Sequence, residues 1–470
     1  MYKREPANQD LLAQIQVLQK QVAALQSENA ALRAENAELQ LCLNRNSRNS
    51  SKPPSSDGLS KPPAKKDCSL RKTGQCKSGG QPGHKGHTLK QVSAPDHVVK
   101  HGLFSCPDCS GDLSGVDTLS VERRQVFDIP MPQLEVTEHQ VEVKNCPCCH
   151  GRVKASFPEA ISAPVQYGDN VRSWAVYLST QHFVPEDRLK QLFEDLYGLK
   201  LATATLTSFN AKLADKLDDF ESRTRTLIAQ SVVKHLDETG YRMGGKTCWL
   251  HTASTNRLTY YHVSPKRKAL LHDLSGIVVH DHWKPYFQLD GVNHALCNAH
   301  HLRELNARID DKERWATQMK RLLLLMLKIR KHYGQKPIPP DKLDRLILLY
   351  STIIDRGIEY HKAQPKLVKA NGKATWAKRA GHNLLLRLKE YCGAVLRFLT
   401  DPNVPFTNNL AEQDIRMMKG KQKVTGGFKT HAGAEQFATL RGFISTARKQ
   451  QWNILESISS AMKGNPPLPN

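Results

Sequence analysis

The chain has 470 residues, with 68 Lys and Arg against 45 Asp and Glu and a formal net charge of +23. That length exceeds one compact core, and that charge makes a polyanion, nucleic acid first, the expected partner. No run approaches the ~18 apolar residues a bilayer span requires, and the N-terminus enters a polar heptad pattern rather than a signal segment, so a cytoplasmic, nucleoid-associated protein is expected, whose eleven Cys serve as metal ligands or core thiols rather than disulfides.

Residues 1–43 read as a leucine-zipper helix. Leu11, Leu18, Leu25, Leu32 and Leu39 recur every seven residues, with Ile15, Val22, Asn29, Asn36 and Leu43 at the alternate core position. Leu at one position with β-branched residues at the other favours a parallel two-stranded coil, and the buried Asn would set register. A homodimer or higher oligomer through residues 11–43 is expected; a lone amphipathic helix packed on its own protein is the plainer alternative.

Residues 44–100 form a basic linker. Asn49-Ser50-Ser51-Lys52-Pro53-Pro54-Ser55 cannot build a core, and Gly80-Gln81-Pro82-Gly83-His84-Lys85-Gly86-His87 follows several Lys and Arg. Such a tether can track phosphates without fixed structure.

Residues 101–155 carry Cys106-Pro107-Asp108-Cys109 and Cys146-Pro147-Cys148-Cys149. Two CxxC clamps complete a closed tetrahedral zinc site, which fits two separate pairs better than buried thiols or a redox couple do. Cys106, Cys109, Cys146 and Cys149 are the expected ligands of a structural Zn²⁺, with Cys148 as a spare thiol. Val121–Ile129 and Leu134–Lys144 read as a hairpin joining the clamps.

Residues 156–230 read as helical, with Leu189, Leu192, Phe193 and Leu196 on one face and a stop at Gly198. Either a helix-turn-helix reader of DNA or a structural collar fits this segment. Residues 231–310 are expected to form the first part of a catalytic core. Strands end at Asp237 and Asp281, Thr247–Thr252 and Leu258–Val263 continue a meander, Lys266–Leu274 is a short helix, and His294–Cys297 is a further strand. That order suggests a ribonuclease-H-like α/β core. Residues 311–400 are expected to be a helical insertion, and residues 401–470 the rest of the core with a final helix over Phe437–Met462. The fold class is therefore multidomain α+β, with an N-terminal coiled coil, a small zinc-binding β module and an α/β core interrupted by helices.

Three acids are the candidate catalytic set. Asp237 closes Val232-Val233-Lys234-His235-Leu236, Asp281 closes Gly276-Ile277-Val278-Val279-His280, and Glu412 lies in Thr407-Asn408-Asn409-Leu410-Ala411-Glu412. Phosphodiester cleavage is served by two Mg²⁺ (or Mn²⁺) ions about 4 Å apart, held by few carboxylates. Asp237 suits the bridging position, with Asp281 and Glu412 on either side. Other readings compete. An Asp at a strand end is a common turn former, and Asn409-x-x-Glu412 matches a helix-capping pattern. His280-Asp281-His282 or Cys297-x-x-His300 could hold a transition metal. Beyond Glu412, Arg416, Lys419, Lys421 and Lys423 are candidate contacts to a DNA backbone.

Taken together, these blocks resemble the DDE transposases of the insertion sequence 66 family. The resemblance rests on Asn49–Ser55, Gly80–His87, the paired CxxC and Leu236-Asp237-Glu238-Thr239. It also includes Asp281 with Tyr286, Thr407–Glu412, Lys423-Val424-Thr425-Gly426-Gly427-Phe428 and Thr446-Ala447-Arg448-Lys449-Gln450. Where relatives commonly read Asp-Gly-Tyr, this chain has Asp281-His282-Trp283. The resemblance implies catalysis by Asp237, Asp281 and Glu412. It also implies nicking of an insertion element's ends by water, attack of the freed 3′-hydroxyl on target DNA, and accessory proteins from the same element. A DNA-binding regulator with an inactive core and a standalone ribonuclease-H-like nuclease are the alternatives.

Overall fold

The structure, a computed structural model, describes residues 6–43, 89–269, 271–365 and 378–470. Helix α1 (Pro6–Leu43) is one uninterrupted helix. Ile15, Leu18, Val22, Leu25 and Leu32 lie along it with 43–59% of their surface exposed. Residues 44–88 of the expected linker lie outside the described residues.

The hairpin expected over Val121–Ile129 and Leu134–Lys144 does not form. Residues 117–142 run without a ladder, and Val121, Val126, Ile129 and Val136 are 71–92% exposed. A hairpin needs a second layer to cover one face, and here those side chains remain uncovered. The ladder that does form is short. Strand β1 (Val143–Asn145) pairs antiparallel with β2 (Arg152–Lys154), folding the second cysteine pair into the turn between them.

Four helices follow: α2 (Asp169–Val176), α3 (Glu186–Tyr197), α4 (Thr203–Asp215) and α5 (Asp218–Gln230). A π-helical turn, Tyr177–Gln181, extends α2, and α3 ends as its sequence predicts, at Gly198 with φ 63°. The buried face of this segment, including Leu189, Phe193, Leu206 and Phe209, joins Leu440, Phe443, Ile444 and Ile458 from the end of the chain in one apolar cluster.

The central sheet has five strands. β3 (Val233–Met243), β4 (Lys246–Ser254) and β5 (Thr259–Ser264) form an antiparallel meander. β6 (Gly276–His280) adds parallel to β3, and β7 (Val292–Leu296) parallel to β6, giving the order β5-β4-β3-β6-β7. Gly276 opens β6 with φ +73°, and a Cβ there would meet the Val232 carbonyl oxygen at 2.7 Å. The helix expected over Lys266–Leu274 does not form: its described residues, 266–269 and 271–274, are bends, turns and irregular chain. Asp273 has φ 62°, which no helix accommodates, and Arg267 reaches back to Glu238 on β3.

The chain then makes α6 (Asn298–Asp310), α7 (Arg314–Tyr333), α8 (Pro340–Lys362), α9 (Ala380–Glu390) and α10 (Cys392–Thr400). It returns to the sheet with α11 (Asn409–Thr425), α12 (His431–Lys449) and α13 (Ile454–Met462). The single final helix expected over Phe437–Met462 is thus two. Gln451 takes φ 62°, and the Asn453 side chain accepts from the N–H groups of Leu455 and Glu456, capping a new helix.

β6 shows how the sheet is sandwiched. Ile277 and Val279 join the cluster of α6–α10, while Val278 joins the opposite cluster with Leu236, Ile228 and Tyr286. Successive side chains point to opposite faces, so a strand apolar at every position is buried on both. Farther along, Tyr241, Cys248 and Leu250 pack against Ile415 and Met418 of α11 and Phe437 of α12. The sheet edge of that cluster is closed by Gly427 and Phe428. Phe428 bridges Met243, its N–H donates to the Arg242 carbonyl, and a Cβ on Gly427 would sit 2.5 Å from that same oxygen. Among the described residues no helix is long and apolar enough to cross a membrane.

Candidate active site

Register alone brings two of the acids together. β3 and β6 pair in parallel at Val233 with Ile277, Lys234 with Val278 and His235 with Val279. Two residues past the end of that ladder, the same offset sets Asp237, inside β3 rather than at its expected end, level with Asp281, the first residue beyond β6. Asp237 shares a face with His235, and that face receives the start of α11. Asn408, buried at 2% exposure, makes the connection. Its Nδ2 donates to the Leu236 carbonyl at 2.7 Å, which leaves Oδ1 to accept from His235 Nδ1 at 2.8 Å. Its own N–H donates to Cys297 Sγ at 3.1 Å. The next turn of α11 carries Glu412.

Asn408 is the first-turn boundary of α11, yet its side chain makes no capping bond, because the amide is committed to β3. The capping reading of Asn409-x-x-Glu412 therefore does not describe this helix start. Glu412 instead lies among Arg303 at 4.0 Å, Arg416 at 3.7 Å and Cys297 Sγ at 4.0 Å.

Two of the three acids, Asp237 and Asp281, are held above the usual carboxylate range, while Glu412 has Arg303 and Arg416 beside it. Burial raises the Asp237 carboxyl well above the usual carboxylate range, and Glu238, Asp281 and Glu412 push it further. Asp281 is raised as well, first by burial, although it accepts from the Trp283 N–H at 2.9 Å. Arg267 offsets part of the shift at Asp281, but among the described residues no cation offsets that at Asp237, and a hard divalent cation with oxygen ligands would supply the missing charge. The donor set fits Mg²⁺ or Mn²⁺.

Glu238 is a participant that the sequence reading did not single out. It points to the face opposite Asp237 and takes Arg267 on Oε1 at 2.7 and 3.1 Å and the Tyr286 hydroxyl on Oε2. The Arg267 guanidinium stacks on Trp249 at 4.8 Å and on Trp283 at 4.4 Å. Trp283 follows Asp281 by two residues, so this network braces the turn that carries the second acid. Only contacts between segments far apart in sequence reveal it.

The histidines flanking Asp281 do not converge on its carboxylate; His280 Nδ1 instead donates to the Asp281 backbone carbonyl. His280 is buried and neutral, pushed down to about 3 by burial, with its Nε2 hydrogen-bonded to His294 Nδ1 at 3.0 Å. His282 packs against Tyr391 and Phe287. Among the described residues, the group of three or more metal-type side chains whose ligand atoms lie mutually within 4.8 Å is Cys297, His300 and Glu412.

The cysteine pairs each fold into the same knuckle. Cys106 N–H donates to the Gly111 carbonyl and Ser110 N–H to the Cys106 carbonyl; Cys146 with Gly151 and His150 repeats both bonds, all at 2.9 Å. Ser110 and His150 both have positive φ, at 59° and 53°. The N–H groups of Cys109 and Asp108 hold the Cys106 thiol below its ordinary range, and those of Cys149 and Cys148 do so for Cys146. The repeat places Cys149 where Cys109 stands, with Cys148 in the interior of the turn. The two knuckles are formed but are not drawn into one group of ligand distance. Preformed thiolate-stabilising turns with soft donors fit zinc.

On α11, Arg416, Lys419 and Lys423 recur at i, i+3 and i+7 and share an exposed face. Lys419 Nζ donates to the Gly240 carbonyl at 2.5 Å. Lys421 departs from that face. Its amine donates to Thr425 Oγ1 at 2.7 Å and lies over Phe428 and Phe437 at 5.4 and 5.5 Å.

A family model described as Transposase IS66 family matches residues 164–436, and one described as the zinc-finger binding domain of transposase IS66 matches residues 105–150. A family of unknown function matches residues 3–90. No curated protein matches the chain.

Proposed function

The chain belongs to the IS66 transposase family, and we propose that it cuts DNA at the ends of an insertion element and joins the freed 3′ ends to target DNA. The observation that carries this reading is the β3–β6 register, which sets Asp237 within β3 level with Asp281 just past β6, with α11 bringing Glu412 to the same face. The strand order, with a three-stranded meander followed by two parallel strands, supports a ribonuclease-H-like core.

Asp237, Asp281 and Glu412 would hold two Mg²⁺ or Mn²⁺ ions. Bound there, the ions supply charge for both the attacking and the leaving oxygen of an in-line displacement. Water attacks phosphorus first, and the 3′-oxygen of the element end is the leaving group. That 3′-hydroxyl then attacks a target phosphodiester, so one bond breaks for each bond formed and the enzyme forms no covalent intermediate. Glu238, Arg267 and Tyr286 keep the Asp281 turn fixed, and Asn408 holds the Glu412 helix against β3. A strand-transfer assay with the element's own ends, Mg²⁺ and its accessory proteins tests the reading. Glu412→Gln is expected to lose both cut and joined products. Specific binding by wild type without cutting would favour the regulator, and cutting without joining the standalone nuclease.

The open face of α11 is proposed to hold backbone phosphates beside the cut. Arg416→Ala and Lys423→Ala are expected to weaken DNA binding and each to lower the slope of log affinity against log salt by roughly 1. Lys421→Ala should instead lower the melting temperature and leave the slope unchanged. Fluorescence anisotropy across a salt series checks this, and equal slopes in all three variants would refute the assignment.

Cys106, Cys109, Cys146 and Cys149 are the proposed ligands of one structural zinc. α1 is proposed to dimerise through its exposed stripe, with Asn29 and Asn36 setting register. Leu18→Glu should turn a sedimenting dimer into a monomer; an unchanged mass would place the dimer contact elsewhere.

A further inference from the structure

Beside the catalytic acids lies a second donor set of different chemistry. Cys297 closes β7 and opens α6, His300 stands in the first turn of α6, and Glu412 arrives on α11. One ligand atom from each lies within 4.8 Å of the other two. Cys297 is 1% exposed. His300 Nδ1 is buried, with no hydrogen-bond partner among the described residues. The Glu412 carboxylate divides its two oxygens. Oε2 faces Arg303 and Arg416, while Oε1 faces the Cys297 sulfur at 4.0 Å. The sulfur also accepts the Asn408 N–H at 3.1 Å, the outer contact that steadies a metal-bound thiolate.

We propose that Cys297, His300 and Glu412 form a site for a thiophilic divalent ion, Zn²⁺ being the best fit, separate from the cysteine knuckles. One sulfur, one imidazole nitrogen and one carboxylate oxygen are a zinc donor set and a poor one for Mg²⁺. Sulfur at about 2.3 Å and oxygen at about 2.1 Å from a tetrahedral ion lie about 3.6 Å apart, so the 4.0 Å gap closes with a small side-chain shift. The ion takes the place of the thiol proton, which leaves to solvent. With three protein ligands the fourth position is open to water. Zinc held here draws on Glu412, so it opposes the use of that acid with Mg²⁺; this consequence rests on the function proposed above, while the existence of the site does not.

The test is the zinc content of the full chain after equilibration with Zn²⁺ and removal of free ion. Wild type is expected to retain about two ions, and Cys297→Ser, His300→Gln and a Cys106→Ser/Cys146→Ser double variant about one each. Cys297 is buried, so its variant can lose the fold; His300→Gln, half-buried at the rim, carries the test in that case, with circular dichroism as the control. In a chain lacking all four knuckle cysteines, Co²⁺ should still give a sulfur-to-metal charge-transfer band that Cys297→Ser removes. Wild-type zinc content in both Cys297→Ser and His300→Gln, or no such band, overturns the site. Added Zn²⁺ should inhibit Mg²⁺-dependent cutting by wild type and do so less in His300→Gln. Loss of cutting under all conditions would count against the catalytic reading and leave the zinc measurement standing.

Discussion

Asp237→Asn is expected to abolish cutting and joining while making the metal-free protein more stable. Under the proposed two-ion function the loss should be at least about a thousandfold, since an amide would hold divalent cations far more weakly than a carboxylate does. The gain in stability follows from the same crowding. Burial and the charges of Glu238, Asp281 and Glu412 raise the folded-state titration of Asp237 well above that of an unfolded carboxyl. The folded chain therefore binds this proton more tightly than the unfolded chain does. Its stabilising effect is full below the unfolded range, near pH 3.9 for Asp, and is lost as pH rises toward the folded value. An amide never charges and escapes that loss. In EDTA, the melting temperature of the variant should exceed that of wild type at pH 7, by about 2–4 °C for each kcal/mol relieved, and the gap should close as pH falls. Mg²⁺ should raise the wild-type melting temperature and leave that of the variant nearly unchanged. A variant less stable than wild type in EDTA, yet stabilised by Mg²⁺ to the same degree, would show that Asp237 is an ordinary structural carboxylate.

What the sequence disclosed of this site was what local pattern can carry. An apolar run closed by an acid announces a strand end, and β6 does stop just before Asp281, but β3 runs on past Asp237 to Met243 because its later residues pair with β4. The pattern does not say which faces will be covered. Val121–Ile129 has β-branched and aromatic residues suited to a strand, but no layer lies over it, and it forms no ladder. Lys266–Leu274 has helical composition, but Arg267 is drawn to Glu238 and the aromatic rings of Trp249 and Trp283, and Asp273 turns the chain back. Lys421 belonged by composition to a basic stripe. The helical period turns it away from Arg416 and Lys423, and the Phe428 and Phe437 rings receive it.

Asn408 was the least legible residue and carries the second large effect. In sequence it precedes a helix, where Asn is an ordinary cap. Its partners His235 and Leu236 are 173 and 172 residues away, a relation that no local window contains. Asn408→Ala would leave the His235 Nδ1 and the Leu236 carbonyl buried without partners, at a cost of about 2–4 kcal/mol. A denaturant midpoint shifted at constant slope measures that loss. The effect on function should be larger than instability alone explains. Leu236 immediately precedes Asp237, and Asn408 anchors the helix of Glu412, so the amide fixes the spacing between the two acids. A misplacement of about 1 Å at a reacting centre can cost on the order of a hundredfold in rate. Under conditions where the variant remains folded, cutting should fall by about that factor, and the Mg²⁺ concentration for half-maximal rate should rise. If the midpoint drops while rate and Mg²⁺ dependence stay at wild-type values, Asn408 only holds the fold, and the spacing of the acids is set by the sheet alone.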